Sequence, residues 1–265
     1  MYFFQQYGAR RTGTNYIQLL LEENFTNIAV LDHTLAWKHG FPNSPYEYKK
    51  NVMPLWPDET AIRHSTFKRC CAGREDLFAA LKKAVTEEQI RHLVHIKNPY
   101  AWIESMWRWS ITSSEKPENN QHYIYFDFDK NPNLAECEQL VKDSIESYNV
   151  RYQVWFSDLP YKRETYLVRY EDVVSDSVKF LDKFYTQFNH LIKREPNSNQ
   201  WVDFNNGVDP SPLKTGQHNK DHSYRDYYLQ QHYLRNLPPN IINVITENVN
   251  WEFFQKLGYL PIQQT

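Results

Sequence analysis

Several things are scarce or missing in this 265-residue chain, and each absence removes a class of protein. Only three cysteines occur, Cys70, Cys71 and Cys137, an odd number with two of them adjacent. That is neither a disulfide framework nor zinc-type spacing, and it points to a reducing compartment. Charge of one sign does not dominate: 30 Lys and Arg stand against 32 Asp and Glu, a formal net charge of −2. A balance of that kind gives no global attraction to nucleic acid or to an anionic membrane, so any anion site must come from local clustering. No apolar run reaches membrane-spanning length, and the first β-type run starts at Tyr2 with no leader expected before it. Internal repeats and low-complexity linkers are missing too. What the chain has instead is aromatic volume, with 8 Trp, 19 Tyr and 15 Phe, enough to build a sizeable core.

Apolar β-rich runs alternate with helical patterns. This predicts one α/β domain over residues 1–265, with a central, mostly parallel sheet flanked by helices. The expected strands are Tyr2–Tyr7, Asn27–Leu31, Leu93–Lys97 and Thr165–Arg169. Helices are expected over Thr14–Glu23, from Pro99 through Trp109 with Asn98 as the N-cap, over Leu134–Phe156 and over Ser175–Leu191. Lys38–Asp58 and Glu195–Asp221 read as loops. Trp102 and Trp109 fit a buried helical stripe. Trp37, Trp56 and Trp107 would suit a sugar or aromatic ligand.

The stretch Gly8-Ala9-Arg10-Arg11-Thr12-Gly13-Thr14-Asn15-Tyr16 carries the strongest chemical signal. A strand ends at a glycine, a basic hydroxyl-bearing loop follows, and a helix opens. Backbone N–H groups and the helix dipole favour an anion at such a place. Gly8 and Gly13 have the Gly-x4-Gly spacing of the nucleotide P-loop, but Thr14-Asn15 stand where that motif continues Lys-Ser/Thr. The missing lysine argues against ordinary nucleoside-triphosphate chemistry. A second basic strand-to-helix turn, Lys97-Asn98-Pro99 with Ser105 eight residues after the lysine, suggests a ligand with two separated anionic groups. A third piece, Arg169-Tyr170-Glu171-Asp172, reads as a strand end, a helix start and an ion pair.

Arg11-Thr12-Gly13-Thr14-Asn15-Tyr16 resembles the 5′-phosphosulfate loop of sulfotransferases that use 3′-phosphoadenosine 5′-phosphosulfate (PAPS). Lys97-Asn98-Pro99 through Ser105 is similar to the same family's 3′-phosphate motif, and Arg169-Tyr170-Glu171-Asp172 to its Arg-Tyr-Glu-Asp strand end. The three occur in the family order over residues 2–190, with a fainter likeness at Leu257-Gly258-Tyr259. The resemblance implies a P-loop-like phosphosulfate loop after the first strand, PAPS as sulfuryl donor and no metal. It implies transfer to a hydroxyl or amine of a small-molecule or carbohydrate acceptor, in a cytoplasmic protein without nucleic-acid partners or a membrane span. Arg11 would hold the position of the catalytic basic residue, with His39 as general base and Lys38 helping to neutralise the transferring group. Asp32, His33 and Glu104 are rivals for the base. Arg10, Thr12, Gly13, Thr14 and Asn15 would cradle the 5′ end, with Tyr16 and Tyr170 at the adenine. Lys97 and Ser105 would hold the 3′-phosphate, and the Lys214–Lys220 loop, with Lys214 and Gly216, is a candidate lid. A P-loop kinase, or a non-catalytic nucleotide- or glycan-binding protein, remains the alternative.

Overall fold

A computed structural model describes residues 1–31, 39, 75–87, 89–112, 134–157, 165–194, 201 and 224–263. Contacts divide the chain into two units, Met1–Ile96 with Val154–Pro210 and Lys97–Gln153 with Ser211–Thr265.

The first unit is built on four parallel strands, β1 (Tyr2–Gly8), β2 (Ile28–Leu31), β3 (Arg91–Ile96) and β4 (Thr165–Arg169), in the order β2-β1-β3-β4. All three pairings are parallel, so the sheet is more uniform than the mostly parallel one expected. β1 and β3 are buried along nearly their whole length, as strands covered on both faces must be. On one face, Phe4, Leu93 and Val168 join Ile17, Leu20 and Leu21 of α1 (Thr14–Asn24). The 3.6-residue spacing of those three α1 residues turns them to the sheet together. The same cluster takes in Phe180, Leu181, Phe184 and Phe188. On the other face Tyr7 stacks on His92, ring centroids 5.7 Å apart, and reaches Trp155.

After β4, where the sequence predicted a helix start at Tyr170–Asp172 and a helix over Ser175–Leu191, the chain forms two helices, α5 (Tyr170–Ser175) and α6 (Ser177–Phe188). The break is at Asp176, which leaves helical geometry at ψ 89° and accepts the Lys179 N–H on its side chain at 2.8 Å. An aspartate that caps competes with continuing the helix it sits in. The first unit also carries α2 (Glu75–Thr86) among its described residues.

The second unit holds α3 (Pro99–Thr112), most of α4 (Leu134–Ser157), α7 (Tyr224–Leu229), a 3-10 turn at His232–Asn236, α8 (Pro239–Asn248) and α9 (Trp251–Lys256). Asn98 caps α3 as expected, its side-chain oxygen accepting the Tyr100 N–H at 3.0 Å, with Pro99 first in the helix. Trp102 is core, stacked on Tyr148 at 4.2 Å, and Tyr148 stacks in turn on Phe254. No helix among the described residues is long and apolar enough to cross a membrane.

Candidate functional site

The strand order locates the site before any side chain does. From β1 the chain moves outward to β2, and from β3 it moves the opposite way to β4, so the direction switches between β1 and β3. Open parallel sheets leave a crevice at such a point, beyond the carboxyl ends of the strands. β1 ends there at Gly8, paired with His95 of β3.

The loop after Gly8 is a tight turn. The Thr12 amide and hydroxyl both donate to the Ala9 carbonyl, at 3.3 and 2.7 Å. Arg11 lies in the left-handed region at φ 67°, a conformation a side-chain-bearing residue adopts rarely, and Gly13 follows at φ 83°. Left-handed residues inside such a turn make the backbone N–H groups converge into an anion-binding concavity. α1 then begins directly from Gly13, which brings no side-chain acceptor to the helix N-terminus. Arg10 and Arg11 are half-buried and Asn15 is exposed.

Both glycines are required by their surroundings. A Cβ on Gly8 would stand 2.7 Å from Thr12 Oγ1 and 2.9 Å from His95 Cβ, while one on Gly13 would overlap the Tyr170 ring. The structure therefore brings the Tyr170 ring against Gly13 of the loop. It also brings in His39, whose Nδ1 lies 2.6 Å from the Gly8 carbonyl oxygen. Arg169 pairs with Asp172 at 3.9 Å, a partly exposed pair of small energetic weight.

Two members of the predicted set have contacts within the fold itself. The hydroxyl proton of Thr12 is spent on the Ala9 carbonyl inside a fully buried side chain, so Thr12 shapes the loop. Tyr16 packs against the hydrophobic cluster beneath α1. Thr14 is buried at the first position of the helix. Lys38, Lys214 and Gly216 lie outside the described residues, as do Asp32, His33, Trp37, Trp56 and the rest of the Lys214–Lys220 loop.

In the second unit Lys97, the residue after β3, is 1% exposed. Its Nζ donates to the Tyr228 hydroxyl at 2.8 Å and lies 4.3 Å from that ring's centre. Its carbonyl accepts from Tyr148 at 2.5 Å, and burial pushes the Tyr148 phenol well above its ordinary pKa. Ser105 is buried on the same helical face as Asn98 and Trp102. Glu104 is fully buried, and its Oε1 accepts from Tyr227 at 2.5 Å and from Asn236 at 3.0 Å. Two neighbouring tyrosines of α7 thus engage a buried cation and a buried carboxylate seven residues apart. Sequence reasoning missed Tyr227, Tyr228 and Asn236, since partners more than 120 positions away leave no local pattern. It missed His95 because strand register alone sets that residue beside Gly8.

A comparison with protein-family models finds no match for this chain, and a comparison with curated proteins finds no matching relative.

Proposed function

We propose that the chain is a PAPS-dependent sulfotransferase with a P-loop-like phosphosulfate loop, acting on a small-molecule or carbohydrate acceptor in the cytoplasm. One observation carries the reading. A loop with two left-handed residues, Arg11 and Gly13, opens a helix at the switch point of a parallel sheet. Oriented amides there suit a tetrahedral anion. The loop lacks the lysine and following hydroxyl that a triphosphate and its magnesium use, which favours a phosphosulfate as guest.

In this reading Arg11 meets the negative charge that grows on the bridging oxygen as the sulfuryl group transfers. A guanidinium keeps its proton in proteins, so Arg11 acts by charge and forked hydrogen bonds rather than as an acid. Lys97 and Ser105 take the 3′-phosphate, following the family resemblance, with Tyr228 already bonded to the lysine.

The test is ligand-induced thermal stabilisation by adenosine 3′,5′-bisphosphate against ADP, followed by transfer of labelled sulfate from PAPS to a panel of hydroxyl acceptors. The bisphosphate should stabilise more than ADP, and Lys97→Ala should erase the difference. Equal stabilisation by ADP, or magnesium-dependent turnover of ATP with none of PAPS, overturns the reading.

A further inference from the structure

We infer that Tyr228 is a positioning residue for the 3′-phosphate site, holding the Lys97 ammonium at one place and one angle before the nucleotide arrives. The inference rests on the sulfotransferase reading and specifies how its second anion site is made ready.

A lysine carries its charge as a point on a flexible four-carbon stem, so binding an anion with it costs the freedom of that stem. Here both ends of the residue are held. The Lys97 carbonyl accepts from the buried Tyr148 hydroxyl, which fixes the backbone between β3 and α3. At the other end, Nζ donates to the Tyr228 hydroxyl at 2.8 Å and lies 4.3 Å from the centre of the same ring. A hydroxyl oxygen and a π face both attract a cation, and one residue supplies the two. An ammonium carries three N–H donors in a fixed geometry, so directing one at Tyr228 sets where the other two point.

Tyr228 can position a partner only if it is itself held. α7 has six residues, too few to stand as a helix without tertiary contacts. Its other tyrosine supplies them. The Tyr227 hydroxyl donates to Glu104 Oε1 at 2.5 Å, and Asn236 Nδ2 donates to both of those oxygens at 3.0 Å. Tyr233 packs against both rings, its centroid 6.3 Å from each. Consecutive helix residues project about 100° apart. The pair therefore forks, Tyr227 onto the carboxylate of α3 and Tyr228 onto the cation just ahead of that helix. All of these side chains belong to the second unit. The phenol is fixed to α3, and the lysine stem, the softer of the two, follows the phenol.

The experiment is calorimetric binding of adenosine 3′,5′-bisphosphate and of adenosine 5′-monophosphate to the full chain. The two nucleotides differ only in the 3′-phosphate. Tyr228→Phe keeps the ring and removes the hydroxyl. It should lower the ratio of the two affinities by about tenfold, the scale of one hydrogen bond to a charged group. Tyr228→Leu removes the ring as well and should lower the ratio further. In Lys97→Met the ratio should already be low, and adding Tyr228→Phe should leave it there. A merely structural tyrosine would weaken both nucleotides together, so an unchanged ratio in Tyr228→Phe overturns the inference. So does a further fall when Tyr228→Phe is added to Lys97→Met. The ratio needs no sulfuryl transfer, so the two failures separate. A ratio that falls in Tyr228→Phe, in a protein that transfers nothing from PAPS, keeps the role of Tyr228 and overturns the sulfotransferase reading. Transfer from PAPS with a ratio indifferent to Tyr228 does the reverse, and a wild-type ratio near one overturns both.

Discussion

Arg11 holds two properties that ordinarily travel together and can here be pulled apart. Its φ of 67° strains the backbone, and its guanidinium supplies charge to the loop. Glycine adopts that φ without strain, so Arg11→Gly removes the charge and relieves a cost of roughly 1–2 kcal/mol. The variant should melt at or above the wild-type temperature and yet transfer less than about a tenth as much sulfate, as comparison of thermal melts with the transfer assay will show. A marked loss of stability instead would mean that Arg11 is there to hold the fold. Gly13 gives the complementary case. Gly13→Ala forces a methyl group into the Tyr170 ring at φ 83° and should cost more than about 1 kcal/mol in urea unfolding, with loss of bisphosphate binding. Adding Tyr170→Ala removes the overlap, so the pair should be less destabilising than the sum of the single changes. At this scale the loop was legible because its glycines, arginines and threonines are contiguous. The enclosure of Gly8 by His95 was not, because register joins residues 87 positions apart that share no local pattern.

Among the elements, α6 shows what patterning reveals and what it hides. Its apolar residues recur at helical spacing, and Phe180, Leu181, Phe184 and Phe188 all reach the sheet. Phe184 is the hub, with ring centroids 5.4 Å from Phe4, 5.6 Å from Phe25, 5.2 Å from Tyr166 and 5.0 Å from Phe188. Truncating a fully enclosed phenylalanine loses its transfer energy and leaves a cavity, so Phe184→Ala should cost about 3–5 kcal/mol in urea unfolding. The start of the same helix is a smaller matter. Asp176→Ala loses one capping bond and should cost about 1 kcal/mol. The apolar pattern set the start of this helix at Ser175, two residues ahead of its first helical residue Ser177. The signal for the true start was in the sequence as well, an aspartate just ahead of Ser177 that caps the helix by accepting the Lys179 N–H.

For the molecule as a whole, the alternation of strands and helices was sufficient for a parallel α/β sheet. Strand order needed the structure, since no sequence pattern says that β3 lies beside β1 rather than β2. That order buries β3 in the middle of the sheet and takes His92 with it, stacked on Tyr7. Burial lowers the His92 pKa from the usual 6.5 to about 4. The sign follows from proton counting. Between pH 4 and 6.5 the unfolded chain binds a proton at His92 that the folded chain refuses, so stability rises with pH across that interval. The full stabilisation is present above pH 6.5, is lost progressively as pH falls, and levels off below 4. A difference of that size corresponds to roughly 3 kcal/mol, since one pKa unit is 1.36 kcal/mol. Carboxylates titrate in the same range, so wild type is best measured against His92→Phe, which keeps a ring to stack on Tyr7 and carries no titratable group. Urea unfolding of both proteins from pH 8 to 4 should give a free-energy difference that is flat at the alkaline end. It should swing by roughly 3 kcal/mol against wild type on acidification. A difference that stays constant over the whole range would mean that His92 takes up its proton in the folded sheet as easily as in water, against its burial between β1 and β4.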